Sequence, residues 1–594
     1  LIIRKNAHES KRNVRRNPAE MKIVIARTAG FCMGVKRAVE MALDAPAQYE
    51  SPILTYGPLI HNPQVLELLE EKNIRILDQI PDSGSGTVII RAHGVPPQEK
   101  EALVRSGFQV IDATCPRVIK VQQIIRKHVR EGFPIVILGD ADHPEVKGLK
   151  GFSENRGYVA ADLEAFENLP VFEKAIVVAQ TTYNSGMFEK IQAWAQRHRP
   201  TYRIFDTICD STATRQEEVK KLAATCDLLI VVGGKTSGNT RRLAEVAENN
   251  GLKTLAIESD HDIDPAALES SRVVGITAGA STPNWVINRV VRRVESLSLK
   301  RGLWFRRALF SIQQAALLTN VYVALAAGSL CIACSRLQGV SRSRNHAAIA
   351  ILYVFSMHIL NNLTGTHADR YNDPDREKFY RKYRNVLAAT ALVSSLGSIW
   401  LSFQLGWLSF LTLLFMSVTG LSYNVPVIPK QFKWRMRRLR DIPGSKTVLI
   451  AIAWGVVSAL LPALSVSHVP MPGTVLVFLW SSGLVFVRTA FFDILDMQGD
   501  RIFGRETIPL VFGEKKTLRM LFVFLEIQAA IPVIGALIGW FPIWAVLLTI
   551  CPALMGLIIG WHRAGHMMPG IRLEIRIETA LVLSGLVALI FSTC

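Results

Sequence analysis

Cysteine is scarce in this chain, with eight in 594 residues. That excludes a small disulfide-stapled scaffold, which needs a short and cysteine-dense chain. Residues 1–20 lack the apolar core of a signal peptide. A reducing compartment is therefore expected, where cysteines serve metals or catalysis. Up to about residue 300, no apolar run is long enough to cross a bilayer. Residues 21–300 also lack net charge, with 34 Lys/Arg against 34 Asp/Glu. The formal net charge of +19 lies elsewhere, as +4 in residues 1–20 and +15 in residues 301–594. Basic loops beside apolar runs are the ordinary mark of membrane spans and give no reason to invoke nucleic acid.

A chain of this length exceeds one hydrophobic core. The first methionine is Met21, where the folded protein is expected to open. Residues 1–20 then form a basic leader, disordered or untranslated. Residues 21–295 read as a soluble α/β domain, 296–307 as a linker and 308–594 as an all-α membrane domain.

Three segments of the soluble half share a layout. A β-type run over 22–26 leads into a turn with Gly30, Cys32 and Gly34, and a helical pattern starts near Lys36. A run over 109–111 ends in Asp112-Ala113-Thr114-Cys115-Pro116 before an amphipathic helix. A run over 202–205 ends in Asp206-Thr207-Ile208-Cys209 before a helix from about Thr214 to Ala224. Each cysteine falls at the carboxyl end of a strand, where open α/β sheets place ligands. A helix amino terminus is expected to lower a thiol pKa and favour metal ligation. The positions alone fit either a shared metal centre or three separate core thiols. Cys226, in an apolar stretch, reads as core.

Histidines recur beside glycine or proline in Gly57-Pro58-Leu59-Ile60-His61, Arg91-Ala92-His93-Gly94 and Asp142-His143-Pro144-Glu145. Three such rings suit an anionic ligand held by ring N–H groups. Two further strand-to-helix loops, Gly233-Gly234-Lys235-Thr236-Ser237-Gly238-Asn239 and Thr277-Ala278-Gly279-Ala280-Ser281, expose backbone N–H groups of the kind that cradle phosphate. The first is not a Walker A loop, because Leu229 stands where that motif requires glycine.

These motifs, with Gly30-Phe31-Cys32-Met33-Gly34-Val35, His143-Pro144-Glu145-Val146 and Gln180-Thr181-Thr182, occur in the order expected for one family. Residues 21 to about 295 resemble the LytB (IspH) family, the 4-hydroxy-3-methylbut-2-enyl diphosphate reductases. The resemblance implies three α/β subdomains around a [4Fe–4S] cluster held by Cys32, Cys115 and Cys209, which leaves one iron open. It implies a diphosphate clamp of His61, His93, His143, Ser237, Asn239 and Ser281, with Thr181 near the reacting hydroxyl and Glu145 as proton donor. Gly238 stands where many members carry a second serine. The reaction implied is reductive dehydroxylation to isopentenyl and dimethylallyl diphosphate. No flavin or nicotinamide motif is present, so a ferredoxin- or flavodoxin-type electron donor is implied.

In the second half, nine spans are expected near 308–334, 346–363, 386–403, 405–423, 448–466, 474–492, 519–540, 541–561 and 577–592. A cytoplasmic reductase tethered to an inner membrane agrees with the basic loops after spans 2, 4, 6 and 8. Arg336, Arg342 and Arg344 after span 1 conflict with it. Two loops on that side are acidic. One carries Asn361, Asp369 and Asp373. The other carries Asp493, Asp496 and Asp500, followed by Gly504-Arg505-Glu506-Thr507. Carboxylates at i and i+4 share a helix face and can hold Mg²⁺ against a diphosphate, or they are solvated loop charges. The basic stretch 430–440 could attract a diphosphate or anchor the loop in lipid. Nine spans with two such loops resemble the UbiA family of intramembrane prenyltransferases, although Gly365 stands where the first motif expects aspartate. The alternative is an active reductase whose membrane half is only an anchor or binding module.

Overall fold

The computed structural model describes residues 21–269, 271–299, 304–341, 343–364, 373–423, 442–466, 472–502, 505–564 and 570–592. The leader, Asp369 and the basic stretch 430–440 lie outside them. The chain divides between Gly302 and Leu303 into two compact units. The helix Asn284–Leu299 runs through the expected boundary at 295, and the helix Trp304–Leu318 takes up the far end of the expected linker.

Among its described residues the first unit holds twelve strands: β1 Lys22–Ile25, β2 Ile53–Tyr56, β3 Ile74–Leu77, β4 Thr87–Ile90, β5 Gln109–Asp112, β6 Ile135–Leu138, β7 Gly157–Ala160, β8 Ile176–Ala179, β9 Arg203–Ile204, β10 Leu228–Val232, β11 Lys253–Ile257 and β12 Val273–Ala278. They form three four-stranded sheets, in the orders β3-β2-β4-β5, β7-β6-β8-β9 and β11-β10-β12-β1. Every pairing is parallel. The central strands β4, β6, β8 and β10 are buried along their whole length. Their runs of Val, Ile and Leu match strands covered by helices on both faces.

All three sheets follow one plan, in which the second strand in order lies outside the first, and the third and fourth extend the other way. In two sheets the four strands are consecutive. In the third, β10, β11 and β12 supply the first three places and β1 supplies the fourth, with Ile23 opposite Val274. The third repeat is thus closed by the first strand of the described chain.

The second unit is helical. Among the described residues, six helices are long and apolar enough to cross a membrane: Ser343–Leu363, Arg384–Leu405, Ser445–Leu464, Pro472–Met497, Glu514–Leu537 and Ile543–Arg563. A seventh span results if Ala308–Leu318 and Val321–Leu337, bent by 79°, count together. The break falls at Asn320, which is left-handed at φ 61° and donates its side-chain amide to Tyr380 Oη at 2.6 Å. The expected nine spans reduce for two reasons. Trp407–Ser422 has 16 residues, about 24 Å against a hydrocarbon core of about 30 Å. Ile571–Phe591 carries Arg572, Glu574, Arg576 and Glu578 in its first half. Glu578 is buried and accepts from Arg488 Nε at 2.7 Å, tying that helix to its neighbour across the bundle.

Candidate active site

The site of the first unit can be built from strand positions. A parallel sheet of this order has its switch point between the first and third strands, and loops leaving their carboxyl ends splay apart there. After the first strands β2, β6 and β10 come His61, then His143 with Glu145, then Ser237 with Asn239. After the third strands β4, β8 and β12 come His93, Thr181 and Ser281. After the fourth strands β5, β9 and β1 come Cys115, Cys209 and Cys32. Eleven predicted residues therefore fall at nine equivalent places, three in each of three repeats.

Each cysteine is the N-cap of a helix: Cys32 before Met33–Gln48, Cys115 before Pro116–Arg130 and Cys209 before Asp210–Ala223. The first and third helices begin earlier than the sequence suggested. Gly34 reads as a turn residue but is helical. A Cβ there would lie 2.4 Å from Cys115 Sγ, so the glycine makes room for a thiol from the neighbouring repeat. Thr214 reads as a helix start but stands one turn in, with its hydroxyl donating to Asp210 O at 2.7 Å.

The backbone repeats the pattern. Cys32 N donates to Ala280 O at 3.1 Å, Cys115 N to Ala92 O at 2.9 Å and Cys209 N to Thr181 O at 2.9 Å. Each thiol-bearing residue is so tied to the loop that carries Ser281, His93 or Thr181. All three cysteines are free and half-buried. Val35 N donates to Cys32 Sγ at 3.5 Å. The expected lowering of thiol pKa is reversed at Cys115. Burial pushes it up, the backbone N–H groups of Arg117 and Val118 act the other way, and the neighbouring Cys32 and Cys209 push it up further. Metal binding itself must then displace the proton. Free thiols near enough to act on one another's charge, with a glycine cradle beside one of them, fit a shared metal centre with three protein ligands.

The three imidazoles converge, with ring centroids 4.9 Å apart for His61 and His93, 5.4 Å for His93 and His143, and 5.9 Å for His61 and His143. Burial is the main cause that holds all three below the ordinary histidine value, and His143 falls to about 4. Arg91 adds to the effect at each, and Arg241 at His61 and His143. His143 Nδ1 accepts from Glu145 N at 3.2 Å, which puts its ring proton on Nε2. A Cβ on Gly238 would meet that Nε2 at 3.4 Å, so Gly238 borders the same space.

His61 Nε2, His93 Nδ1 and both amide atoms of Asn239 are buried without a partner among the described residues. Ser281 Oγ lies 3.4 Å from Ser237 Oγ. Buried donors are costly when unpaired, so a cluster of them marks a ligand site. The histidine nitrogens lie within 4.8 Å of one another, which raises the possibility of a metal ion. Zinc would draw its nitrogens to about 3.3 Å and has no use for hydroxyl and amide donors. An anion uses the ring N–H, hydroxyl and amide N–H donors together.

Glu145 sits under the clamp and is 1% exposed. Its Oε1 accepts Thr181 N at 2.7 Å and its Oε2 accepts Thr181 Oγ1 at 2.9 Å. Burial pushes its pKa up to about 7, against the opposing pull of those two bonds. A carboxyl poised near neutrality can hold and release a proton. Sequence reasoning gave no role to Arg91 and Arg241, whose charges act on the clamp. Arg91 opens the Arg91-Ala92-His93-Gly94 motif, which was the available signal.

In the membrane unit, Asp493, Asp496 and Asp500 stand on one helix, Pro472–Ile502, and not in a loop. With 31 residues this helix is about 46 Å long and outruns a bilayer core. Asp493 and Asp500 are buried. Lys446 Nζ lies 3.4 Å from Asp493 Oδ1, and Thr447 Oγ1 donates to Asp493 Oδ2. Arg505 lies 3.4 Å from Asp500. Asp373 caps the helix Pro374–Lys382, accepting Arg376 N at 3.3 Å. It therefore has a structural task of its own.

Residues 23–295 match the model of the LytB protein family, and residues 321–567 match that of the UbiA prenyltransferase family. The 4-hydroxy-3-methylbut-2-enyl diphosphate reductase of Geotalea daltonii is 43% identical over 278 residues, 47% of this chain and 98% of that protein. The enzyme of that name from Geobacter sulfurreducens is 43% identical over 281 residues, 47% of this chain and 99% of that protein. A solved UbiA homolog from Aeropyrum pernix K1 is 15% identical over 46% of this chain and 99% of its own, with a TM-score of 0.38.

Proposed function

We propose, from the premise that this chain belongs to the LytB family and carries a UbiA-family membrane domain, that its first unit reduces 4-hydroxy-3-methylbut-2-enyl diphosphate to isopentenyl and dimethylallyl diphosphate. The balance is one substrate, two electrons and two protons in, and one product and one water out. The carrying observation is the buried Glu145, held on both oxygens by Thr181 beside the histidine clamp.

Cys32, Cys115 and Cys209 would hold a [4Fe–4S] cluster. When bound, it supplies the electrons and a Lewis-acidic iron for the leaving oxygen. The remaining work falls to side chains. His61, His93 and His143 meet the diphosphate as neutral N–H donors, with Ser237, Asn239, Ser281 and the backbone at Gly238 completing the clamp. Thr181 fixes the Glu145 carboxyl, whose proton converts the hydroxyl into departing water. Closure of the clamp around an anion excludes bulk water from that proton. Electrons arrive from a ferredoxin- or flavodoxin-type donor. The reductase lies on the cytoplasmic side of a bacterial inner membrane. The test is anaerobic assay of the whole chain with a low-potential reductant. Absence of both five-carbon products from iron-loaded protein overturns the reading.

The second unit transfers a prenyl group, with Asp493, Asp496 and Asp500 holding Mg²⁺ and a prenyl diphosphate. Asp369 and Asp373 are the first-motif candidates. The structural task of Asp373 favours the competing anchor reading. Mg²⁺-dependent release of pyrophosphate from a prenyl diphosphate should vanish in Asp496→Asn. No release from wild type with any chain length selects the anchor.

A further inference from the structure

Arg215 is a buried cation that the proposed reaction leaves without a task. It is 3% exposed and stands in the second turn of the helix headed by Cys209. Its Nη2 donates to Gly30 O at 2.7 Å, two residues before Cys32. Its Nη1 donates to Ala278 O at 3.1 Å, at the start of the loop that carries Ser281. Among the described residues it forms no ion pair; its strong partners are two neutral carbonyls. The nearest carboxylate group on its own helix, Glu218, is occupied by Arg27 N, Thr28 N and Thr28 Oγ1. A buried guanidinium without a bonded anion is costly. Burial pushes its pKa down, while Cys32, Glu218 and Cys209 act in the opposite sense, which places both thiols within its field.

We infer that Arg215 is a positioning residue for the cluster: it locks the Cys32 and Ser281 loops onto the helix of Cys209, and its charge offsets that of the thiolate-bound group. The inference rests on the reductase reading. Three thiolates on a doubly positive iron–sulfur core carry one net negative charge, and reduction by one electron makes it two. A fixed cation nearby stabilises the reduced form more than the oxidised one, because the attraction scales with the charge. Arg215 therefore raises the reduction potential. The fork geometry also matters, since lysine keeps the charge but cannot serve two carbonyls in one plane.

The test uses the full chain, loaded with iron and sulfide and titrated in detergent against redox dyes. In Arg215→Gln, the ratio of reduced to oxidised cluster at a fixed potential should fall about tenfold, which is about 59 mV for a one-electron couple. Arg215→Lys should keep the wild-type midpoint and show weaker substrate binding. An unchanged midpoint in loaded Arg215→Gln overturns the inference. If Arg215→Gln does not load, Arg215→Lys decides: loading at the wild-type midpoint supports the charge, and loading no better than Gln overturns it. Wild-type protein that binds no cluster would instead sink the reductase reading, a separate outcome.

Discussion

Replacing Glu145 by Gln is expected to lower kcat by about 10²–10⁴-fold, the range for loss of a positioned acid, with KM almost unchanged. Glutamine is isosteric. Its carbonyl can accept Thr181 N and its amide can donate to Thr181 Oγ1, so both anchoring bonds persist. The proton is what disappears. The wild-type enzyme should also show a limb in kcat as pH rises. With a pKa of about 7 the acid form prevails below neutrality and is lost above it. A bound diphosphate adds negative charge nearby and moves the limb upward. The residual rate of Glu145→Gln should lack that limb. A variant that keeps it, or that keeps near-normal kcat, removes Glu145 as the donor.

The second large effect concerns the three thiols and the cluster proposed for them. Cys115→Ser should lose the visible absorbance of anaerobically loaded protein together with all turnover. Gly34→Ala should do nearly the same with every sulfur still present. The added Cβ would fall 2.4 Å from Cys115 Sγ and 3.1 Å from its Cβ. Contacts that short force the thiol out of place. The Cys115 Cβ is fixed to its backbone, so relief comes from rotation of the sulfur away from its place. Far-ultraviolet circular dichroism should stay native in both variants. A coloured, active Gly34→Ala protein would show that Cys115 does not point into a shared centre.

The sequence made these residues visible because their signals are local. A thiol at a strand end and a histidine beside glycine or proline are read within a few positions. The closing of the third sheet by β1 was not visible, since its partner β12 lies some 250 positions away and either strand alone looks ordinary. Gly34 was misread because turn and helix both accept glycine, and only the sulfur across the interface decides. Arg215 was invisible for a related reason. A basic residue in an amphipathic helix is most often solvated, and its burial depends on the loop of Cys32 arriving from the far end of the domain. In the membrane half, hydropathy located the helical segments. It could not tell an acidic loop from the last turns of the long helix Pro472–Ile502, because charge ends an apolar run without ending the helix.

The pairing of β1 with β12 also sets an order on biosynthesis. A nascent chain emerges amino end first, and β1 then has no sheet to join. The two sheets built from consecutive strands can form as they leave the ribosome, but the repeat holding Cys32 waits for Val273–Ala278. At about 5–20 residues per second, those roughly 250 residues take about 12–50 s. Late in that interval, once residue 209 and its sheet have emerged, Cys115 and Cys209 can stand in place while Cys32 still rides on an unpaired strand. A cluster delivered early would find two ligands of three. On the proposed reading, insertion of iron and sulfur would wait for completion of the whole domain, when the first membrane helices are only beginning to be translated.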